Sequence, residues 1–254
     1  MSHPTALITG ASAGLGKAIA HALSEAGYAL VLLARRADKL KALSQSLSNT
    51  PCHIMAADIR DQQAIAAQLE SLPSDFAEID VLINNAGLAL GLEPADKTDW
   101  EDWQTMIDTN CTALAYLTRQ VLPGMRQRNS GTIINMGSAA GTYAYPGVNM
   151  YGATKAFVEQ FSIALRSDLL GSNIRVCNVE PGLVAGTEFS DVRFSGDEAR
   201  AAKVYQDCQP LLPEDVAETV RWILAQPTRV NINRIEMMPV CQAPAGLSVA
   251  KSSG

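Results

Sequence analysis

The chain has 254 residues, 47% of them hydrophobic and 18% charged, which suits one domain with a large core. A formal net charge of −6 and an isoelectric point near 5.1 argue against nucleic acid or an anionic membrane as a partner. Any anionic ligand must be held by local donors, because the global field does not attract it.

In chain order, short apolar runs alternate with helical patterns. TALIT (5–9) predicts a strand and leads into a helix near 14–26. YALVLLA (28–34) is followed by a helix near 37–47, and HIMAA (53–57) by one near 61–72. DVLIN (80–84) precedes a long helical stretch at 99–126, and GTIINM (131–136) another at 151–170. IRVCNV (174–179) comes before a last helix at 213–225, and NRIEMM (233–238) closes the series. Fully apolar strands separated by helices predict a parallel, seven-stranded, doubly wound α/β sheet with helices on both faces. Ligands of such sheets bind outside the carboxyl ends of the strands.

The single domain spans 1–254, without repeat or linker. Leu183 to Leu212 is long for a connection and reads as a substrate loop or lid, and 239–254 as a C-terminal tail. The helix at 151–170 spreads apolar residues, among them Phe157, Val158, Phe161, Ile163 and Leu165, over more than one stripe. A helix apolar on several sides predicts a subunit interface.

The five cysteines (Cys52, Cys111, Cys177, Cys208, Cys241) are odd in number and contain no CxxC, so they read as reduced packing residues of a cytosolic protein. MSHPTALITG runs almost directly into a strand, which argues against a signal peptide, and YALVLLA is too short to cross a bilayer. The expected location is cytoplasmic. Neither His, Cys nor carboxylates cluster at metal-ligand spacing.

The chemistry concentrates in a few stretches. After the first strand, TGASAGLG spaces Gly10, Gly14 and Gly16 across a strand-to-helix turn. Glycine there permits close approach of backbone to a ligand, and the N-terminus of the following helix suits a phosphate. Ala11, Ser12, Ala13 and Leu15 complete this dinucleotide cradle. At the end of the second strand, where an acid would hydrogen-bond a ribose 2′-hydroxyl, stand Arg35 and Arg36, which suit a 2′-phosphate. The cofactor expected is NADP. In YGATK, Tyr151 and Lys155 are four residues apart, so a phenol and an ammonium share one helical face.

On these residues the chain resembles the short-chain dehydrogenase/reductase family over essentially its whole length. The matching motifs are TGASAGLG (9–16), Asp58, NNAG (84–87), Asn110, Ser138, the Tyr151/Lys155 pair and PGLVAGT (181–187). Within that family, LALGLEP (88–94), GTEFSDVRF (186–194) and EMMPV (236–240) resemble the bacterial NADP-dependent 3-hydroxy acid dehydrogenases. That group is also described as L-allo-threonine or L-serine dehydrogenase and as malonic semialdehyde reductase.

The resemblance implies a Rossmann-type fold, a homotetramer, and hydride transfer between NADP(H) and a small 3-hydroxy or 3-oxo acid. It implies Tyr151 as general acid/base, Ser138 as donor to the substrate oxygen, and Asn110 as holder of a water near Lys155. An asparagine satisfying buried backbone is the other reading of Asn110. Asp58, Ile59, Asn85, Ala86, Gly87, Pro181, Gly182, Val184 and Thr187 are implied cofactor contacts. Thr187 stands one place later than in many relatives, with Gly186 in the usual position.

An ammonium ~5 Å from the phenol at an effective dielectric of ~20 is worth about 3 kcal/mol, so Lys155 is expected to lower the Tyr151 pKa. For the substrate carboxylate, Arg193 is a candidate, flanked by Val192 and Phe194. Pairing with Asp191 or Asp197 on the lid is the competing role. Arg200 and Lys203 read as a solvated helix face. Alternative functions are a broad-range carbonyl or 3-oxoacyl reductase, or a non-catalytic NADP-sensing protein. The set Asn110, Ser138, Tyr151 and Lys155 counts against the sensor.

Overall fold

Seven apolar runs become the strands β1 (Thr5–Thr9), β2 (Ala29–Ala34), β3 (Cys52–Ala56), β4 (Ile79–Asn84), β5 (Gly131–Met136), β6 (Ile174–Pro181) and β7 (Arg234–Met237). In the computed structural model, which describes residues 3–47 and 49–244, they form one parallel sheet ordered β3-β2-β1-β4-β5-β6-β7. The chain winds outward from β1 to β3, then returns to place β4 on the other side of β1. That reversal opens a crevice at the carboxyl ends of β1 and β4.

The inner strands, β1 and β2 foremost, are buried on both faces because both are covered, whereas the edge strand β7 alternates exposed and half-buried residues. Along β1, Ala6 and Ile8 join one core layer and Leu7 the other. The first layer receives α1 (Gly14–Glu25), α2 (Ala37–Ser46) and, after the lid, α9 (Pro213–Leu224). The second receives α3 (Gln62–Glu70), α5 (Ala113–Arg128) and α6 (Asn149–Asp168). A buried polar ladder ties α5 and α6 to the sheet. Asn84 Nδ2 donates to Thr118 Oγ1 (2.9 Å) and Asn135 Oδ1 (2.8 Å), and Asn135 Nδ2 donates to Ser162 Oγ (2.8 Å).

Two expectations need correction, the unbroken helix at 99–126 and the reduced state of all five cysteines. The stretch 99–126 is interrupted: α4 (Trp100–Ile107) passes through a π-helical turn at Asp108–Thr112 before α5 begins. The loop 183–212 carries two short helices, α7 (Phe189–Arg193) and α8 (Glu198–Lys203), and is closed at its base by pairing of Val184 with Leu211. Cys208 and Cys241 are not reduced packing residues; they form a disulfide with Cα atoms 6.0 Å apart. They meet because both flank Leu183, whose carbonyl accepts from Leu211 N and whose N–H donates to Gln242 Oε1. Their polar settings, QDCQ and VCQA, differ from those of the free Cys111 and Cys177, which are buried. Of the tail 239–254, residues 245–254 lie outside the described residues.

Candidate active site

The crevice holds a cleft of about 330 Å³. Its near wall is the turn after β1. Gly10 takes φ of +65° and Gly14 +50°, in the left-handed region that favours glycine. A side chain at Gly10 would also meet Asn85 Nδ2 at 2.9 Å, the amide that donates to Thr9 O and fastens β4 to β1. The turn delivers the N-terminus of α1, which has no side-chain cap, into the cleft. Uncapped N–H groups there form an anion site.

One end of the cleft is lined by Ser12, Arg35, Arg36, Asp58 and Ile59. Asp58 is held ionised by Arg60, whose guanidinium bonds it at 2.7 Å and keeps its carboxyl below the usual range. The floor consists of Asn85, Ala86 and Gly87 after β4, and of Pro181 at the end of β6 with Gly182 and Val184 beyond it. Thr187 also lines it, against Gly14. Ala11 and Gly16 do not; both are buried in the turn.

At the other end stand Ser138, Tyr151 and Lys155. Ser138 caps the short turn after β5, its Oγ accepting from Ala140 N at 3.2 Å. Tyr151 and Lys155 are 8% and 7% exposed on the inner face of α6. Lys155 Nζ lies 5.8 Å from the Tyr151 ring centroid and donates to Met136 O at 2.7 Å.

The expected depression of the Tyr151 pKa is not what the geometry produces. Burial pushes the phenol up to about 12, with the Ser138 hydroxyl and the charge of Arg193 opposing it. Burial also pulls Lys155 down to about 8. Each loses solvation when charged, and the ammonium is directed at a backbone carbonyl.

Asn110 sits in the π-helical turn, 1% exposed. Its Oδ1 accepts from Leu88 N, and its Nδ2 donates to Leu88 O and Thr154 Oγ1, all at 2.9 Å. The amide is thus committed to fixing the strand-end loop against α6, one turn from Tyr151. Two of these bonds satisfy the backbone of Leu88.

Arg193 is drawn inward at the end of α7 and is 8% exposed. Its Nε donates to Gly91 O (3.1 Å), Gly91 N donates back to Arg193 O (2.9 Å), and Nη1 donates to the Tyr145 hydroxyl (3.2 Å). Nη2 is buried with no partner. The guanidinium carbon lies 5.8 Å from the ring centroids of both Tyr145 and Tyr151. Arg193 pairs with neither Asp191 nor Asp197; Asp197 instead accepts from Arg200 N. Arg200 is exposed, as expected, and bridges to Glu93. The Lys203 side chain lies outside the described residues.

Two lid residues are among the lining residues that the sequence reading did not assign. Glu188 and Phe189 enter the cleft from the lid, Phe189 with its ring 5.6 Å from that of Tyr151. Glu188 accepts from Arg36 and Lys39. The only sequence signal was an acid placed directly after Thr187.

The residues fit a dinucleotide. The cleft joins an anion site and an arginine pair at one end to a buried lysine at the other, and that lysine has three donors but one recorded acceptor. Comparison with known proteins agrees. Residues 4–198 match the short chain dehydrogenase family. The chain is 57% identical over 251 residues to a probable NADP-dependent dehydrogenase of Haemophilus influenzae, covering 99% of each chain. It is 53% identical over 243 residues to the NADP-dependent 3-hydroxy acid dehydrogenase YdfG of Escherichia coli K12, covering 96% of this chain and 98% of the other. The closed form of a serine dehydrogenase complexed with NADP+ superimposes with a TM-score of 0.94 at 52% identity, over 98% of this chain and 100% of that one.

Proposed function

The chain belongs to the short-chain dehydrogenase family, and we propose that it is an NADP-dependent dehydrogenase interconverting small 3-hydroxy acids and their 3-oxo counterparts. The observation that carries the acid preference is Arg193. A buried guanidinium with one free Nη2 beside the Tyr151 ring is a reader for a carboxylate at the reacting end of the cleft. L-allo-threonine, L-serine, 3-hydroxyisobutyrate and 3-hydroxypropionate all carry that carboxylate one carbon from the hydroxyl-bearing carbon. The names of the E. coli and serine dehydrogenase relatives support the same reading.

When bound, NADP supplies the hydride acceptor, and NADPH the donor. The protein's own residues handle the proton and the orientation. Tyr151 exchanges a proton with the substrate oxygen, and its high pKa keeps it in the acid form needed for reduction. Ser138, which lines the same end of the cleft, holds the same oxygen. Lys155 binds through the donors that Met136 leaves free, towards the nicotinamide ribose. Gly10, Ser12, Ala13, Gly14, Leu15, Asp58, Ile59, Asn85 to Gly87, Pro181, Gly182, Val184 and Thr187 hold the remainder, with Arg35 and Arg36 on the 2′-phosphate.

A homotetramer and a cytoplasmic location belong to the same reading. Phe157 and Ile163 remain 41% and 51% exposed on the outer side of α6, with Phe157 stacked on Phe161, as an apolar face kept for another copy. No helix among the described residues is long and apolar enough to cross a membrane. The function is tested by NADP+ reduction with L-allo-threonine and L-serine, and by NADPH oxidation with malonic semialdehyde. Equal efficiency on neutral aldehydes of the same size would instead favour a broad-range carbonyl reductase. NADP binding without turnover of any of these would favour a sensor.

A further inference from the structure

Glu188 begins the lid helix α7 as its N-cap, yet its carboxylate reaches the opposite wall of the cleft. Arg36 Nη1 and Nη2 donate to Glu188 Oε1 and Oε2 at 3.1 and 2.7 Å, and Lys39 Nζ donates to Oε1 at 2.7 Å. Nη2 also donates to Ser12 Oγ at 3.1 Å. The forked end of the guanidinium, the edge that arginine offers to phosphates, is therefore held by a carboxylate 152 residues away in sequence. These cations, Arg36 foremost, pull the Glu188 carboxyl down to about 2, so it is ionised throughout the working range.

In an NAD-selective site an acid at the end of the second strand accepts from the ribose 2′-hydroxyl. Here the end of β2 holds Arg35 and Arg36, but the lid brings a carboxylate to the same place. We infer that Glu188 is a specificity-determining residue that competes with the cofactor 2′-phosphate for Arg36 and accepts a hydrogen bond from an unphosphorylated 2′-hydroxyl. The inference rests on Arg36 as the 2′-phosphate contact. A phosphate at Arg36 must displace Glu188 or share two cations with it against like-charge repulsion, whereas a 2′-hydroxyl has no such conflict. The side chain is 43% exposed, so it has room to swing out. Glu188 thus moderates the NADP preference that the arginine pair creates.

The test is calorimetric binding of NADP+, NAD+, adenosine 2′,5′-bisphosphate and adenosine 5′-monophosphate to the intact protein, at one ionic strength. The two fragments lack the nicotinamide half and so report the adenosine end alone. Glu188→Gln is expected to tighten NADP+ and the bisphosphate by about tenfold, about 1.4 kcal/mol, while NAD+ and the monophosphate bind equally or more weakly. Glu188→Ala should behave alike, and the melting temperatures of both variants show that they are folded. Unchanged or weaker NADP+ binding in folded Glu188→Gln overturns the competition. Arg36→Ala separates the two readings. If it leaves NADP+ affinity intact, the 2′-phosphate contact itself fails. If it weakens NADP+ while Glu188→Gln does not tighten it, only the role of Glu188 fails.

Discussion

The guanidinium carbon of Arg193 lies 5.8 Å from the centroid of the Tyr151 ring, which sets a buried cation of the lid beside the phenol of α6. Two of its nitrogens are spent on Gly91 O and the Tyr145 hydroxyl, and Nη2 has no partner. Arg193→Met should therefore reduce kcat/KM for a hydroxy acid by at least ~10-fold, since a charge-assisted hydrogen bond is worth about 1.5–3 kcal/mol. A neutral alcohol or aldehyde of similar size should lose much less. Parallel losses on both substrates would mean that Arg193 only secures the lid to Gly91.

Tyr151→Phe removes the proton donor while leaving the ring to pack on Phe189. Turnover should fall by ~10²-fold or more, and NADPH affinity should scarcely change. Fluorescence titration of NADPH beside steady-state kinetics separates the two effects. Retention of most of the turnover would require another acid in the cleft.

The phenol's position also sets a pH dependence. Tyr151 holds its proton up to about 12, so reduction finds the acid form ready across the neutral range. Oxidation needs the phenolate, so its kcat/KM should climb as pH rises from 7 to 9. Arg193 lowers the phenol pKa, and Arg193→Met should move that limb to higher pH. An oxidation profile flat from pH 7 to 9 would rule out Tyr151 as the titrating base.

Lys155 predicts a stability effect of opposite character. Its folded pKa, about 8, lies below the ordinary 10.5, so between those values the unfolded chain binds the extra proton and stability rises with pH. Below pH 8 the buried ammonium costs up to about 3 kcal/mol, offset by roughly 1 for its hydrogen bond to Met136 O. Lys155→Met should be more stable than the parent at pH 7 and lose that advantage by about pH 10, while activity collapses. Urea midpoints at the two pH values measure this. A destabilised variant at pH 7 would show that the lysine's contacts outweigh its burial.

Replacing both Arg35 and Arg36 by Ala should erase most of the preference for NADP over NAD. One charge-assisted bond from each is worth roughly 3–6 kcal/mol together, a hundredfold or more in affinity. The ratio of kcat/KM values with the two cofactors reports it directly. Equal ratios in parent and double variant would remove the arginines from cofactor selection.

The sequence by itself determined whatever depends on neighbours along the chain. Alternating apolar runs and helical patterns specify a parallel sheet, because strands buried on both faces must be apolar throughout. Gly10 and Gly14 mark the phosphate turn, because their left-handed φ is costly for other residues. The spacing of Tyr151 and Lys155 puts both on one helical face. Only the tertiary structure decided how those groups behave. Burial, invisible in YGATK, outweighs the opposing influence of Ser138 and Arg193 and leaves the phenol with a high pKa. The lid's return over the strand ends carries Arg193 to Gly91 and Tyr145, Glu188 to Arg36, and Cys208 to Cys241. Each of those pairs spans 33 residues or more, so no local pattern or spacing records it. Their partners are set by where a folded loop comes to rest, and by which charges it leaves without water.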